Sequence, residues 1–379
     1  MKLVHLSDLH IGKRVNEYSM IEDQKYILNQ ILNIIDSEKP DGVMIAGDVY
    51  DKSVPSAEAV ELFDDFLVRL SERNLDVFVI SGNHDSPERI AFGGRLMTKN
   101  RIYMSPVYDG GLSPVELTDE YGKINIWMLP FIKPVHVKRF FPDAEITTYN
   151  DALKVAIDNL DINESERNVM ITHQLVTGAD RTESEEISVG GTDNVETSAF
   201  EKFDYTALGH IHRPQNCKGD KIRYSGTPLK YSFSECKDQK SVTIVEFKEK
   251  GNHSINTVLL KPLRDLVEIK GSYNEIMLRD FYKDTTYQSD YVHITLTDEE
   301  DIPDAIGKLR TVYHNLMKLD YDNTRTRTAN IIEGADDIEK KTPYEHFSDF
   351  YEQQNGQPMS EIQSEFVKKL LEEIGEEEI

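Results

Sequence analysis

Residues 43–51, Val-Met-Ile-Ala-Gly-Asp-Val-Tyr-Asp, join four consecutive apolar residues to a glycine and two carboxylates. An uninterrupted apolar run is typical of a strand that is covered on both faces, as in a parallel sheet. Gly47 permits a sharp exit from this strand, so that Asp48 follows at its carboxyl end. Ligands bind outside the carboxyl ends of the strands in open α/β sheets. The stretch therefore predicts a buried strand that delivers a carboxylate to a binding site.

Apolar strands followed by polar side chains recur four more times along the chain. The other strand ends carry Asp8-Leu9-His10, Gly82-Asn83-His84-Asp85, His173 and Gly209-His210-Ile211-His212. Amphipathic helical spacings separate the first three strands, with Ile27, Ile31 and Ile35 on one face of the first helical segment. Buried strands that alternate with such helices predict an α/β core.

The later chain contains six strand-like segments, at 124–129, 169–172, 205–208, 222–225, 241–247 and 254–260, of which the second and third precede His173 and Gly209. The last three follow one another without a long helix, which predicts an antiparallel arrangement there. A core of two sheets, closed by strands near residue 260, accounts for all of these segments.

Lys261-Pro262 begins a different pattern. Strands at 266–269 and 291–297 and helices near 273–282 and 302–317 predict a small α+β domain, and residues 342–379 predict two helices. The fold class is thus α/β, with a two-sheet α/β/β/α core at 1–262, a small α+β domain at 263–335 and a helical tail at 336–379.

Composition limits the classes of function. The 379 residues carry a net charge of −25 and two cysteines, Cys217 and Cys236. Two cysteines fit a reducing compartment, and the sequence shows neither a signal-peptide pattern nor an apolar run of ~20 residues, so we expect a cytoplasmic protein without a membrane span. The acidity excludes simple bulk attraction to DNA or to anionic membranes.

The polar strand ends have the residue types of a metal site. Five of the 11 histidines fall in these motifs, together with four aspartates and an asparagine. Imidazole and oxygen ligands without a thiolate favour Mn²⁺ or Fe²⁺, with Zn²⁺ as an alternative, and disfavour Mg²⁺. The alternative interpretation, five unrelated polar strand exits, leaves the conjunction unexplained.

In this order, the five motifs resemble those of the calcineurin-like metallophosphoesterases over roughly residues 1–260. The resemblance implies two divalent metal ions, with a phosphoesterase fold around them. The implied ligands are Asp8, His10, Asp48 and His212 for one ion, and Asp48, Asn83, His173 and His210 for the other. His84 is implied as the catalytic histidine. Asp51 and Asp85 either orient these groups or are plain turn residues.

A narrower resemblance rests on Tyr224-Ser225-Gly226-Thr227-Pro228 and Ser232-Phe233-Ser234-Glu235. These segments are similar to the SbcD branch of that family, nuclease subunits that work with an SbcC-type ATPase. The resemblance implies a DNA exonuclease and endonuclease of replication, recombination and repair, a capping role for the small domain, a homodimer, and ATPase binding through helices at 343–374. The alternatives are a stand-alone phosphomonoesterase or nucleotide phosphodiesterase, and a scaffold that retains an inactive site.

An acidic chain needs local basic surfaces to hold DNA. Residues 86–101 and 131–142 are rich in basic residues, and we expect DNA contacts from Arg89, Arg95, Lys133, Lys138 and Arg139. The same stretches are equally compatible with a solvated surface. Lys52 and Arg213 flank the motifs and either touch phosphates or are surface charges, and the long polar segment 178–198 is expected to lie over the site.

The tail shows two helix-start patterns, Thr342-Pro343-Tyr344-Glu345 and Ser360-Glu361-Ile362-Gln363. Both helices are expected to be apolar on one face and acidic on the other. Residues 333–379 carry 14 acidic and four basic side chains, which suits docking onto a basic protein better than contact with DNA. Packing of the two helices on their own core is the alternative.

Overall fold

The structure is a computed structural model that describes residues 1–180, 182, 185, 193–324, 326, 344, 347–348, 351, 358–360, 362–367 and 370–371. The chain divides into two compact units. One comprises Met1–Leu296 and Asp301–Asp320, and the other comprises Thr297–Glu300 and Tyr321–Ile379.

The strands of the described chain are β1 (Lys2–Leu6), β2 (Arg14–Val15), β3 (Tyr18–Ser19), β4 (Gly42–Ala46), β5 (Asp76–Ile80), β6 (Ile102–Met104), β7 (Val115–Asp119), β8 (Gly122–Leu129), β9 (Arg167–His173), β10 (Leu175–Val176), β11 (Asn194–Val195), β12 (Tyr205–Gly209), β13 (Gln215–Lys218), β14 (Ile222–Tyr224), β15 (Ser241–Phe247), β16 (His253–Leu259), β17 (Leu266–Gly271), β18 (Tyr291–Leu296) and β19 (Asn315–Tyr321).

The helices are α1 (Ile21–Glu38), α2 (Ala57–Ser71), α3 (Pro87–Ala91), α4 (Gly94–Met97), α5 (Pro134–Lys138), α6 (Tyr149–Asp158), α7 (Tyr273–Ile276), α8 (Arg279–Tyr282) and α9 (Ala305–Arg310). Short 3₁₀ turns lie at Thr98–Asn100, Thr197–Phe200 and Phe233–Glu235.

Two six-stranded sheets form the centre of the first unit. Their strand orders are β16-β15-β1-β4-β5-β6 and β13-β14-β12-β9-β8-β7. Within each sheet four consecutive strands run parallel, and antiparallel strands complete the edges. The carboxyl ends of the parallel strands therefore meet along one edge of each sheet.

Three apolar clusters explain why the sheets are buried on both faces. Side chains from both sheets, such as Met44, Phe78 and Ile171, form the cluster between them. A second cluster joins α1 and α2 to the outer face of the first sheet, and a third joins α6 to the second sheet. The expected α/β/β/α core is confirmed.

The antiparallel arrangement expected after residue 222 is only partly correct. The expectation is right for β15 and β16, which pair antiparallel, but wrong for β14, which runs parallel to β12. The sequence pattern did not reveal β13, which pairs antiparallel with β14 and reverses the chain direction between β12 and β14. Because β13 is polar and alternates half-buried and exposed residues, it has no apolar run to mark it.

The small sheet β17-β18-β19 belongs mainly to the first unit. The helix expected near 302–317 is wrong in its second half, since α9 ends at Arg310 and β19 begins at Asn315. Leu309, Val312 and Leu316 fit the spacing of one long helix, yet the chain turns between 311 and 314.

The tail is described only in part. Ser360 and Gln363 form the expected capping box, because the Gln363 N–H donates to Ser360 Oγ over 3.4 Å and the Ser360 N–H donates to Gln363 Oε1 over 2.9 Å. Thr342, Pro343 and Glu345 of the other expected box lie outside the described residues. No helix within the described ranges is long and apolar enough to cross a membrane.

Candidate metal centre

The five strand ends converge on one site. Main-chain hydrogen bonds tie the loop after β1 to the loop after β4, since Asp8 N–H donates to the Gly47 carbonyl (3.0 Å) and His10 N–H to the Asp48 carbonyl (2.9 Å). A third link joins the loop after β12, because His210 N–H donates to Asp8 Oδ1 over 2.9 Å. These bonds bring together motif residues that lie as far apart in the sequence as Asp8 and His212.

Glycines make this close approach sterically feasible. A Cβ on Gly47, whose φ is +82°, would lie 2.5 Å from His173 Nδ1. A Cβ on Gly82 would overlap the Asp48 carboxylate, and one on Gly209 would overlap the Ala46 carbonyl. Gly47, expected to permit a sharp strand exit, is therefore needed together with Gly82 and Gly209, because the backbone itself approaches the predicted ligands and their loops.

The backbone is strained at three of the predicted ligands. Asp8, His10 and Asp48 have φ of +52°, +43° and +48°, a region that costs non-glycine residues on the order of 1–3 kcal/mol each. Such conformations persist only where surrounding contacts impose them, and they concentrate at functional sites.

One group of ligand atoms comes from Asp8, His10 and His212, all within 4.8 Å of one another. His10 Nε2 lies 3.1 Å from His212 Nε2. The buried Asp8 Oδ2 has no hydrogen-bond partner in the described part of the chain. Two facing imidazole nitrogens beside an unsatisfied carboxylate oxygen fit a divalent cation.

A second group forms around Asp48 and Asn83. His173 Nε2 lies 3.3 Å from Asp48 Oδ2 and 2.9 Å from Asn83 Oδ1, and His210 Nδ1 lies 3.0 Å from the same Asn83 oxygen. Asp48 Oδ2 is also 3.7 Å from His10 Nε2 in the first group. Asp48 thus contacts both groups, in the position of a bridging carboxylate.

Burial and the charges of neighbouring residues shift the pKa values of these residues strongly. Burial raises the pKa of Asp8 to about 6 and lowers the pKa of His10 well below its usual value. Burial alone would raise the pKa of Asp48 and lower that of His173, but their mutual attraction wins and shifts the pKa of Asp48 well down and that of His173 to about 9. Such convergent perturbation is typical of functional sites.

His84 lies beside both groups. Its ring is 4.9 Å from the His10 ring, and its Nδ1 lies 3.1 Å from the main-chain oxygen of Asp51. A ring nitrogen that faces a carbonyl must carry the proton, so Nε2 is the atom that can exchange one. His84 also forms a potential ligand group with His10 and Asp48.

Asp85 and Asp51 have different surroundings. The buried Asp85 carboxylate accepts hydrogen bonds from the N–H groups of Gly82 (2.9 Å), Val49 (3.0 Å) and Tyr50 (2.9 Å), and so joins the loops after β4 and β5. Asp51 Oδ1 pairs with Lys13 Nζ at 2.7 Å and lies 3.8 Å from His10 Nδ1.

Comparison with known proteins decides the family. Residues 1–214 match the family described as calcineurin-like phosphoesterase, and residues 262–355 match SbcD_C, the type 5 capsule protein repressor C-terminal domain. The chain is 33% identical over 378 residues to the SbcD subunit of the SbcCD nuclease of Staphylococcus epidermidis, with 98% of each protein covered. The chain belongs to the SbcD nuclease subunits of the calcineurin-like phosphoesterase family. The expectation of a metal-dependent hydrolytic nuclease is confirmed at this level.

Two solved structures are more distantly similar to this SbcD-family chain. A dimetal phosphatase from Danio rerio is 10% identical, with a TM-score of 0.41, and covers 68% of this chain and 95% of its own. The phosphoesterase Yfce from E. coli is 13% identical, with a TM-score of 0.29, and covers 69% of this chain and 100% of its own.

Sequence reasoning missed Glu235 as part of the site. Its fully buried carboxylate pairs with Lys240 and lies 3.8 Å from His212 Nδ1, on the side of the ring opposite His10. Lys240 Nζ in turn donates to the His212 carbonyl over 2.9 Å. An acidic residue in the short segment 232–235 was the only available signal, because nothing in the sequence links it to His212.

Gln24 and Tyr231 also support the site unexpectedly. Gln24 Nε2 donates to the His10 carbonyl (2.7 Å) and to Tyr231 Oη (2.9 Å), and Tyr231 Oη donates to the Leu9 carbonyl (2.6 Å). These bonds fix the loop after β1 to α1, which explains how a buried glutamine within an apolar helix face is satisfied.

Of the expected DNA contacts, Lys133 lies at the site. It lines a cavity of about 120 Å³ together with Asn83, Phe131 and His210. The Phe131 ring stands edge-on to His173 at 6.2 Å. The structure does not bring Arg89, Arg95, Lys138 or Arg139 into this cavity, and Arg139 lies over the exposed Phe140 ring instead.

Lys52, Arg213 and the segment 178–198 were also expected near the site. Lys52 is exposed, whereas Arg213 pairs with Asp238 at 3.0 Å and so has a structural partner. From the segment 178–198, Glu185 Oε1 accepts the His212 N–H over 2.8 Å. Residues 181, 183–184 and 186–192 of that segment lie outside the described residues.

Proposed function

We propose that this chain hydrolyses phosphodiester bonds in DNA, as an exonuclease on duplex ends and an endonuclease on single strands and hairpins, together with an SbcC-type ATPase. The convergence of five strand ends around Asp48, whose Oδ2 lies 3.7 Å from His10 Nε2 and 3.3 Å from His173 Nε2, is the observation that carries the proposal. Two groups that would each hold a divalent cation suit an anionic phosphodiester better than a neutral substrate. The name of the staphylococcal relative supports both the nuclease and the complex.

The proposed ligands divide between two divalent ions. Asp8, His10, Asp48 and His212 would hold one, and Asp48, Asn83, His173 and His210 the other. Four imidazoles with oxygen donors favour Mn²⁺, with Fe²⁺ or Zn²⁺ as alternatives and Mg²⁺ less suited. When bound, paired divalent ions supply Lewis acidity and a water of lowered pKa.

The chain's own residues complete the reaction. We assign His84 Nε2 the proton that the leaving oxygen takes up, since Asp51 holds the other ring nitrogen. Asp85 holds the loops of Asp48 and Asn83 in register through its three hydrogen bonds. Lys133 and Phe131 border the ligands and would contact a phosphate and a base of the strand.

The ATPase would bind the helices within 343–374. Ile362 and Phe366 lie one helical turn apart and are 82% and 67% exposed. An apolar stripe on an acidic segment suits a basic partner with an apolar groove. Exposure of these side chains supports docking over the alternative of packing on their own core.

A second copy would bind through α3 and α4. Phe92, which directly follows α3, and Leu96 of α4 are 83% and 75% exposed, and large exposed apolar side chains mark association surfaces. Arg89 and Arg95 on the same helices are complementary to the acidic outer face of α2, which carries Glu61 and Asp65. A homodimer would therefore compete with DNA for Arg89 and Arg95. Sedimentation of the full chain measures whether it forms a dimer.

The decisive experiment incubates the purified protein with Mn²⁺ and either linear or hairpin DNA. We expect cleavage that EDTA abolishes. Turnover of small phosphoesters without DNA cleavage would instead favour the stand-alone phosphomonoesterase or phosphodiesterase, and no turnover of either substrate would favour the inactive scaffold.

The bridging role of Asp48 has its own test. Asp48→Asn removes a negative charge from between two dications, so metal content after dialysis should fall below one ion per chain. Asp143→Asn, an exposed aspartate, is the matched control and should retain two ions. Two ions in the Asp48 variant would contradict the assignment.

A further inference from the structure

A second cavity lies next to the metal centre and is larger than the one beside Lys133. Its volume is about 690 Å³, and three parts of the first unit form its walls: the β2 hairpin, the turn at 231–237 and one face of the sheet β17-β18-β19. Tyr231 separates it from the metal ligands. The Tyr231 ring is edge-on to His10 at 5.8 Å and to His212 at 6.5 Å.

The cavity is basic on an acidic protein. Lys13, Arg14, Lys237 and Lys318 line it, and Glu268 is the acidic residue among its lining side chains. Two of the cations have carboxylate partners, since Lys13 pairs with Asp51 at 2.7 Å and Lys318 with Asp320 at 2.8 Å.

Arg14 and Lys237 supply the surplus positive charge. Both side chains are exposed, and the Arg14 guanidinium donates to the main-chain oxygen of Glu17 rather than to a carboxylate. On a chain with a net charge of −25, a concave surface with a local excess of cations favours an anionic ligand.

The other lining groups suit a nucleotide better than a free anion. Phe233 lies in the wall, and Ser232 and Ser234 hydroxyls lie 2.9 Å apart beside it. Single-stranded nucleic acids are held by cations along the backbone together with aromatic side chains that stack on bases. The cavity provides both within one concave surface.

Taking the proposed DNA hydrolysis as given, we infer that this cavity holds the substrate strand one to a few nucleotides away from the scissile phosphate. Arg14 and Lys237 bind backbone phosphates and Phe233 contacts a base. The Tyr231 ring lines the cavity and lies 5.8 Å from the His10 ring, so a strand with a rise of roughly 3.4 Å per nucleotide spans the distance within a few nucleotides. The wall formed by the small sheet thereby takes part in substrate binding.

The test measures the salt dependence of strand binding. A fluorescently labelled 12-nucleotide oligothymidylate is titrated with the full chain in EDTA, and anisotropy is followed between 50 and 200 mM salt. In the double variant Arg14→Gln/Lys237→Gln we expect the slope of log K against log salt to fall by about 1.4, and binding at 0.1 M salt to weaken by roughly 25-fold, since each phosphate contact on a single strand contributes about 0.7.

The matched control replaces Lys25 and Lys308 by glutamine. Both are exposed lysines of the same unit that do not line the cavity, so the slope should stay that of the unmodified chain. Phe233→Leu provides an independent measurement, because a lost base contact should weaken binding at least 5-fold without a change in slope.

The outcomes separate this inference from the proposed function. An unchanged slope in the Arg14/Lys237 variant, when the unmodified chain cleaves DNA, overturns the cavity assignment alone. If the unmodified chain cleaves no DNA with Mn²⁺, the proposed function fails first. An equal loss of slope in the Lys25/Lys308 control would show diffuse electrostatics and would also overturn the assignment.

Discussion

The orientation of the His84 ring depends on one hydrogen bond, from its Nδ1 to the main-chain oxygen of Asp51 over 3.1 Å. This bond leaves Nε2 for the reacting groups. The ring also lies in a potential ligand group with His10 and Asp48, so the geometry alone allows it to donate a proton or to bind a metal.

His84→Gln distinguishes the two roles. We expect turnover of DNA to fall by ~10²-fold or more, because general acid catalysis is typically worth 10²–10⁴-fold, while both ions stay bound. Calorimetry with Mn²⁺ gives the number of sites. If the variant loses the ions together with the side chain, His84 is a ligand.

Glu235 acts one step further from the metals. Its carboxylate lies 3.8 Å from His212 Nδ1 and would keep the His212 ring turned with Nε2 toward His10. Partners of this kind typically change metal affinity by ~10–100-fold when they are removed.

We therefore expect Glu235→Gln to weaken Mn²⁺ binding by that factor, measured by calorimetry below the unfolding temperature of the variant. Because the buried Lys240 loses its carboxylate partner, the thermal midpoint should also fall. Glu120→Gln, on the surface, is the control. Unchanged affinity in a destabilised variant would leave Glu235 with a structural role only.

The sequence identified the residues that converge at the site but could not reveal what holds them. Asp8, Asn83 and His210 were recognisable because each follows an apolar strand. Glu235 and Gln24 were not, because their roles depend on contacts with His212 and His10 that no local pattern encodes.

At the scale of elements, the parallel strands were predictable and the short polar ones were not. β4 and β5 are entirely buried and are apolar after their first residues, so periodicity alone defines them. β13 is a polar edge strand with half-buried and exposed residues, and the apolar residues before and at the start of β19 have a spacing that also fits a helix. The strand conformation of β13 depends on its pairing at the sheet edge, and that of β19 depends on the turn before it. Neither feature is visible in a local sequence pattern.

Helix α6 contains a capping box that makes its stability depend on pH. The Asp151 carboxylate accepts the Thr148 N–H over 2.9 Å, and the Asp151 N–H donates to Thr148 Oγ1 over 3.1 Å. The Thr148 hydrogen bonds, with those from Thr147, lower the pKa of Asp151 to about 2.

A lowered pKa in the folded state means that the contribution of Asp151 is complete above about pH 4 and disappears as the pH falls toward 2. We expect Asp151→Asn to lower the free energy of unfolding by ~1 kcal/mol at pH 6, with a smaller difference at pH 3. Urea unfolding at the two pH values measures this. Asp143→Asn should show no such change, and a pH-independent loss in Asp151→Asn would contradict the electrostatic origin.

At the scale of the whole molecule, charge is separated by region. Residues 333–379 carry −10 of the total −25, whereas the cavity beside Tyr231 has an excess of cations. An acidic chain that acts on DNA gains from a concave surface with an excess of cations and from an acidic surplus where a basic protein binds.

The exposed stripe of the tail tests this division directly. Ile362→Ser/Phe366→Ser removes the two most exposed apolar side chains of the 362–367 helix and leaves its charge unchanged. We expect the variant to fold, to bind two Mn²⁺ ions and to cleave single strands as before, because neither residue belongs to the unit that holds the metal centre. Co-purification with an SbcC-type ATPase and ATP-stimulated cleavage of duplex ends should fall at least 10-fold.

The control for the tail variant is Leu263→Ser/Leu278→Ser, which removes exposed leucines from the first unit and should leave co-purification intact. Both variants lose exposed apolar side chains, so a loss of co-purification in the tail variant alone locates the contact on the 362–367 helix and excludes non-specific adhesion through exposed apolar side chains. If the tail variant still co-elutes with the ATPase at full stoichiometry, the apolar stripe is not the docking element, and the acidic charge alone must then account for binding. Raised ionic strength would in that case dissociate the complex, whereas an apolar contact persists because the hydrophobic effect is not screened by salt.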